Sequence, residues 1–265
     1  MAQVTDSKSP KTVIAVTDGS AIPTRRDLGL FTAWRVSFVG ALLIVIALVT
    51  LKPDPYWEIL KFLPDGIVVT FQVTVMSILL ALVIGLFTGL GRLSSNKIIN
   101  GIASVYVEVV RGIPLLVQLF YIYFALGRIV NVPPLTSAVV AMAVCYGAYM
   151  GEIFRAGIES IHKGQREAAR SLGMTSVQTM RYVILPQAVK TILPPIGNEF
   201  VALLKDSSLV SILAVSDLLR RGREFAAQSF TYFETYTMVA LMYLIITLFL
   251  SKLISIMEER ISVEK

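Results

Sequence analysis

Only one cysteine, Cys145, and one histidine, His162, occur in the 265 residues. A lone cysteine excludes an internal disulfide framework and a thiolate metal site, and a lone histidine excludes a histidine cluster. No Gly-x4-Gly-Lys-Ser/Thr run is present, so the chain lacks that kind of phosphate loop for cradling ATP. No Ser/His/Asp arrangement is evident, so neither a catalytic residue nor a metal ligand is expected. Charge is also scarce: 16% of residues are Asp, Glu, Lys or Arg, against about a quarter in an ordinary soluble domain.

What is abundant is apolar surface. Hydrophobic residues make up 55% of the chain and the mean hydropathy is +0.72. Long, nearly charge-free runs direct this surface to lipid rather than to an oversized core. Six stretches can cross a bilayer: 31–51, 66–90, 98–126, 135–151, 191–216 and 235–251. The fold class this implies is all-α, a polytopic membrane helical bundle. The net charge of +6 resembles a nucleic-acid signal. In a membrane protein, however, Lys and Arg collect in cytoplasmic loops, so no nucleic-acid partner is expected.

Six spans put both termini on one side. With the termini inside, sixteen of the 24 Lys and Arg fall inside and six outside, which favours that orientation. Arg220, Arg221 and Arg223 strain the rule. Around them Leu218, Leu219, Phe225, Ala226 and Phe230 recur at helical spacing, predicting an amphipathic helix on the outer surface, its charge offset by Asp217, Glu224 and Glu234. Residues 1–30 read as a polar, disordered cytoplasmic tail. Thr24-Arg25-Arg26-Asp27 faintly resembles a twin-arginine signal. Without a small-x-small cleavage site after it, the first span reads as a retained signal anchor.

Between the fourth and fifth spans, residues 156–190 form a loop far longer than a turn requires. Ile161, Ala168, Ala169 and Leu172 can form one apolar face of a first helix. Gly173 suits a left-handed C-cap, and Thr175 and Gln178 have capping-box spacing for a second helix. Val177, Met180 and Ile184 line that helix, and Pro186 limits its continuation. Arg166, Glu167, Arg170 and Arg181 can ring a contact at Ala168 and Ala169. Spacing alone fits equally a knob for a partner's groove and an amphipathic loop on the membrane surface.

Glu167-Ala168-Ala169, three residues, Gly173, nine residues, then Val183-Ile184-Leu185-Pro186 resembles the EAA motif of ATP-binding-cassette (ABC) import permeases, with Val183 in place of the motif's isoleucine. Segments 106–120, 149–158 and 198–209 resemble the polar amino-acid uptake branch of that family. The resemblance implies a five-span permease core over 63–257 with a coupling loop at 156–190. The first span, with its external loop (31–62), is then an addition, and 258–265 a cytoplasmic tail. It further implies that Glu167, Ala168, Ala169, Gly173, Val183, Leu185 and Pro186 couple to a cytoplasmic ATPase. The implied partners are an ABC ATPase dimer carrying ATP and Mg, a second permease subunit (identical or similar), and a periplasmic or extracellular solute-binding protein. The setting would be the inner membrane of a prokaryote. The function would be inward transport of amino acids of the glutamine, glutamate, histidine or arginine class.

Charges at bilayer depth are costly unless paired or set in a wet cavity. Glu108 and Arg111, and Glu152 and Arg155, are three apart and can pair locally as structural glue. Glu199 and Asp206 are seven apart and share a helix face from which Lys205 points away. A zwitterionic solute needs an anion for its ammonium and a cation or backbone dipole for its carboxylate. Glu152, Arg155, Glu199, Lys205 and Asp206 are therefore candidate substrate contacts, with inter-helix pairing the equal alternative. Pro194 and Pro195 offer a hinge or free carbonyls in the fifth span. Phe120, Tyr121, Tyr123 and Phe124 read as interface anchors. The competing function is a stand-alone ion-coupled carrier or channel, which would carry an inverted repeat; none is evident.

Overall fold

The computed structural model describes residues 32–129 and 132–263; the expectations for the 1–30 tail lie outside the described residues. Among those described, all regular structure is helical. Helix α1 (Ala33–Leu51) is capped by Thr32, whose hydroxyl accepts from the Arg35 amide at 3.2 Å. A short helix, α2 (Pro53–Phe62), leads into α3 (Pro64–Arg92), whose 29 residues open on a proline followed by Asp65. At 1.5 Å per residue α3 is about 43 Å long, ample to cross a bilayer.

Helix α3 is turned inside out relative to a soluble helix. Its buried face is small or polar (Thr70, Thr74, Ser77, Ala81, Gly85), and its outer face carries Val68, Leu79, Val83 and Phe87. Lipid is as apolar as leucine, so large side chains gain nothing by turning inward and close backbone approach sets the interface. That approach is made to α6 (Pro134–Glu159). Gly85 and Gly89 of α3 lie against Gly151 of α6 and its neighbours, and Gly147 of α6 lies against Ile84. A Cβ on Gly147 would lie 2.6 Å from Ile84, and one on Gly89 would lie 2.8 Å from the Gly151 carbonyl oxygen.

The expected third span, 98–126, is not one helix. It forms α4 (Lys97–Gly112) and α5 (Leu115–Phe120), and α5 runs on through a wide turn over Tyr121–Ala125; the two parts bend by 102°. Pro114 forces Ile113 out of the helical region, to φ −106° and ψ 128°. The carbonyls freed at the break are taken up by Gln118, whose Nε2 donates to Val110 O and Ile113 O, each at 2.8 Å.

The fourth span is longer than its hydropathy suggests, because α6 carries on to Glu159. A knob follows, comprising α7 (Lys163–Ser171) and α8 (Ser176–Thr179). The chain then passes through a wide turn, Met180–Ile184, into α9 (Leu185–Asp206) without the stop expected at Pro186. Pro186 sits in the first turn of α9, where a missing N–H costs nothing. Pro194 and Pro195 lie inside α9, which remains helical through them. Helix α9 packs within the bundle against α6 and α11. By length and apolar composition α1, the α2–α3 stretch, α6 and α11 (Tyr232–Val263) qualify as spans, with the bent α4–α5 pair as a fifth.

The segment expected on the outer surface forms α10 (Leu218–Ser229), which docks rather than floats: Leu218 and Phe225 are buried in a cluster that includes Tyr56, Ile59, Leu63, Met238 and Val239, and Ala226 is buried as well. Phe230 leaves that face; it takes a left-handed φ of 58° and is 81% exposed. Arg220 pairs with Glu224 at 2.9 Å, and Arg221 reaches Asp65 at 3.3 Å and stacks over Phe62. Helix α1 is peripheral: only Ala41 of it is buried, and Trp34 Nε1 donates to Leu248 O of α11 at 2.8 Å.

Candidate functional sites: a charged cavity and a helical knob

The break at Gly112–Pro114 opens the bundle. There the end of α4, the start of α5, α6 and α9 enclose a cavity of about 410 Å³. Arg111, the last charged residue of α4, faces it and lies over the Tyr149 ring at 5.0 Å. Glu199 and Asp206 face it from α9, on the shared helix face their spacing requires. Tyr146, 4% exposed, donates its hydroxyl to Asp206 Oδ2 at 2.8 Å. The cavity thus places one guanidinium and two carboxylates around a common space, lined by the rings of Tyr146 and Tyr149. Such a set can hold an ammonium and a carboxylate at once.

The five candidate contacts separate. Glu199 and Asp206 come together in the cavity. Lys205 is exposed and is not part of the lining. Glu152 and Arg155 join a cluster at the other end of α6, where Arg92 of α3 pairs with Glu152 and Arg155 pairs with both Glu152 and Glu159. The local pair expected between Glu108 and Arg111 does not form: Arg111 lies over Tyr149 at the cavity while Glu108 stays exposed. Arg111, Tyr146 and Tyr149 are the cavity residues that sequence reasoning missed. The signal for Arg111 was present: an arginine just ahead of a helix-breaking Gly-Ile-Pro inside an apolar run.

The knob folds as its local signals direct. His162 Nδ1 accepts from the Gly164 amide at the start of α7. At the other end Gly173 adopts φ +81°, with Gly173 N donating to Arg170 O at 2.9 Å and Met174 N to Ala169 O at 3.2 Å. This is the paired pattern of a Schellman cap. Thr175 and Gln178 complete the expected capping box, with Thr175 N to Gln178 Oε1 at 2.8 Å and Gln178 N to Thr175 Oγ1 at 3.3 Å. The expected inward face is only partly buried. Ala169 is buried, whereas Glu167 and Ala168 are exposed and Leu172 is 83% exposed, since the cap turns it outward. Val177 and Tyr182 are also outward-facing apolar residues. Val183 is half-buried, and Leu185 and Pro186 are exposed. The root of the knob is firm: Ile184, Ala188 and Ile192 pack on Ile158.

The family of binding-protein-dependent transport system inner membrane components matches residues 81–263. The glutamine transport system permease of Escherichia coli (strain K12) is 41% identical over 210 residues, covering 78% of this chain and 96% of that protein. The L-cystine transport system permease of Bacillus subtilis (strain 168) is 39% identical, covering 80% of this chain and 90% of its own. Among solved structures, an amino acid ABC transporter crystallised with histidines is 42% identical with a TM-score of 0.73, covering 82% of this chain and 98% of that one. An inward-facing methionine ABC transporter, 21% identical with a TM-score of 0.67, shares the fold. These relatives are permease subunits rather than stand-alone carriers, and the family match begins within α3. The chain belongs to the family of binding-protein-dependent transport system inner membrane components, as a permease subunit of an ABC importer and not itself an enzyme.

Proposed function

We propose that the chain forms one half of an inward pathway for a polar amino acid, with the cavity at the α4–α5 break as its solute site. The observation that carries this reading is the placement of Arg111 opposite Glu199 and Asp206 around about 410 Å³ of space. Arg111 suits the solute carboxylate, which a guanidinium can hold through two parallel hydrogen bonds. Glu199 and Asp206 suit the ammonium, and Tyr149 flanks a side chain. Relatives named for glutamine and arginine transport support the solute class. In this reading Glu152 and Arg155 hold the inner ends of α3 and α6 together, and Lys205 faces a second permease subunit.

The knob is the ATPase-docking element. Glu167, Ala168 and Gly173 present a small, capped surface backed by the buried Ala169, and Val183, Leu185 and Pro186 join it to α9 so that its motion reaches Glu199 and Asp206. ATP and Mg belong to the ATPase dimer below, and an external binding protein delivers solute. The membrane is a prokaryotic cytoplasmic membrane, with both termini on the ATPase side, as the distribution of Lys and Arg favours.

The test is uptake of radiolabelled glutamine, arginine and histidine into proteoliposomes containing the chain, its ATPase and its binding protein. ATP-dependent uptake of one of them is expected, with the half-saturating concentration raised by Arg111→Lys and by Glu199→Gln. Uptake by the chain alone, driven by an ion gradient, would overturn the reading.

A further inference from the structure

A second cavity, of about 300 Å³, lies between the knob and the inner ends of α3 and α6. Its apolar side is made by Leu93, Ile158, Met180 and Ile184, and its polar side by Arg166, Arg170, Ser176 and Thr179. Arg166 and Arg170 are four apart on α7 and share a face, an arrangement of like charges that is unfavourable on its own. No carboxylate lines the cavity, and neither arginine makes an ion pair among the described residues. Arg170 Nη2 donates to Ser176 Oγ at 2.9 Å, which pins the guanidinium and leaves the serine proton available as a donor.

Thr179 supplies the independent observation. It is 2% exposed, and its hydroxyl has no hydrogen-bond partner although it is buried and lines this cavity. Buried hydroxyls are normally satisfied, and an unmade bond there is costly. The cavity is therefore lined by two unneutralised guanidiniums, the Ser176 hydroxyl and a threonine whose buried hydroxyl lacks a partner, with nothing of opposite charge.

We propose that this cavity binds a phosphate group, which seats between α7 and α8 and ties the knob to the inner ends of α3 and α6. A phosphate offers enough oxygens for both guanidiniums and both hydroxyls, and its bonds to them are charge-assisted. A carboxylate has only two oxygens to share among them. The group can be a lipid phosphate, whose acyl chains would meet Leu93, Ile158 and Met180, or free inorganic phosphate; the chemistry at the four donors is the same. This site is separate from the solute cavity at the α4–α5 break, and it stands whether or not that cavity binds amino acids.

The experiment uses the full chain purified with its ATPase and compares wild type, the double variant Arg166→Gln/Arg170→Gln, and Thr179→Val. One arm measures binding of radiolabelled inorganic phosphate. The other measures retention of phosphatidylglycerol against phosphatidylcholine from nanodiscs by native mass spectrometry. Thermal unfolding confirms that each variant is folded, and the exposed arginines keep the test open should Thr179→Val not fold. Saturable binding in at least one arm is expected, weakened about tenfold or more in the arginine double variant and in folded Thr179→Val. Binding in the phosphate arm alone assigns free phosphate; phosphatidylglycerol retention lost in the variants assigns a lipid. No binding in either arm, or binding unchanged by the arginine substitutions, overturns the proposal.

Discussion

The Tyr146 hydroxyl on α6 donates to the Asp206 carboxylate at the end of α9, 2.8 Å away. The two residues are 60 apart in sequence, and their bond fixes one wall of the charged cavity. A hydrogen bond to a charged group contributes about 1.5–3 kcal/mol to stability. Tyr146→Phe removes this donor and frees the Asp206 carboxylate, so it is expected to lower the unfolding temperature and raise the half-saturating solute concentration, with maximal uptake little changed. A fall in maximal rate alone would separate Tyr146 from solute binding.

Glu152 and Glu199 lie on adjoining helices but in different settings, and substitution separates the settings. Glu152 bridges Arg92 and Arg155, so Glu152→Gln leaves Arg92 with a neutral partner and Arg155 with Glu159 alone. Its expected effect is a lower unfolding temperature with an unchanged half-saturating concentration. Glu199 has no such bridge and faces the cavity. Glu199→Gln is expected to do the reverse. Uptake titrations and thermal unfolding of both variants check this; identical phenotypes would collapse the distinction.

The α3–α6 contact depends on glycine at its closest points. A Cβ on Gly147 would come within 2.6 Å of Ile84 Cγ2 and 3.0 Å of the Tyr106 hydroxyl, so Gly147→Val must push the helices apart. Overpacking of this kind costs about 1–3 kcal/mol. A drop of several degrees in unfolding temperature is expected. Gly101→Ala, at a site with nothing within 4 Å, is expected to leave the temperature unchanged or raise it.

How far these sites can be read from sequence depends on whether the signal is local. Gly173, Thr175 and Gln178 belong to short-range backbone patterns, and the knob forms as those patterns dictate. The spacing of Glu199 and Asp206 likewise carries over, since α9 stays helical between them. Arg111 does not carry over, because its partner is the Tyr149 ring of α6, a tertiary contact that local i,i+3 pairing with Glu108 does not foresee. The Gly85/Gly89 and Gly147/Gly151 pairs have the four-residue spacing of close-packing membrane helices, a legible signal that hydropathy alone passes over. Tyr146 and Asp206 meet through the packing of α6 on α9, which single-sequence periodicity does not encode.

Asp217 gives the α10 segment a pH dependence. It caps α10, accepting from Leu219 N at 3.2 Å and Arg220 N at 3.0 Å, and is wholly buried. Burial raises its pKa from 3.8 to about 6, against the opposing pull of those amides. The folded chain thus holds the proton through a window, from about 4 to about 6, where the unfolded chain has released it. Stability is fully present below that window and falls as pH rises through it, by on the order of 2–3 kcal/mol, then levels off. Unfolding of the detergent-solubilised protein between pH 4 and pH 8 should show this slope, and Asp217→Asn, which keeps the cap, should flatten it. An unchanged slope in that variant would place the titration elsewhere.

Gly173 allows a graded test of the knob, because its constraint is torsional and not steric. Its φ is +81°, yet a Cβ there would meet nothing within 4 Å. A non-glycine residue in this region costs about 1–2 kcal/mol, least for asparagine and most for β-branched residues. The cost falls on the cap joining α7 to α8, while the buried clusters of the bundle are untouched. Recovery of the ATPase with the purified permease should fall in the order Gly, Asn, Ala, Val, reaching several-fold loss at Val, with the unfolding temperature of the bundle nearly constant. A docking knob requires that ordering, since the surface around Glu167 and Ala168 is presented by this cap. Equal ATPase recovery and equal uptake for Gly173→Val and wild type would mean that the knob's shape is not what the partner grips.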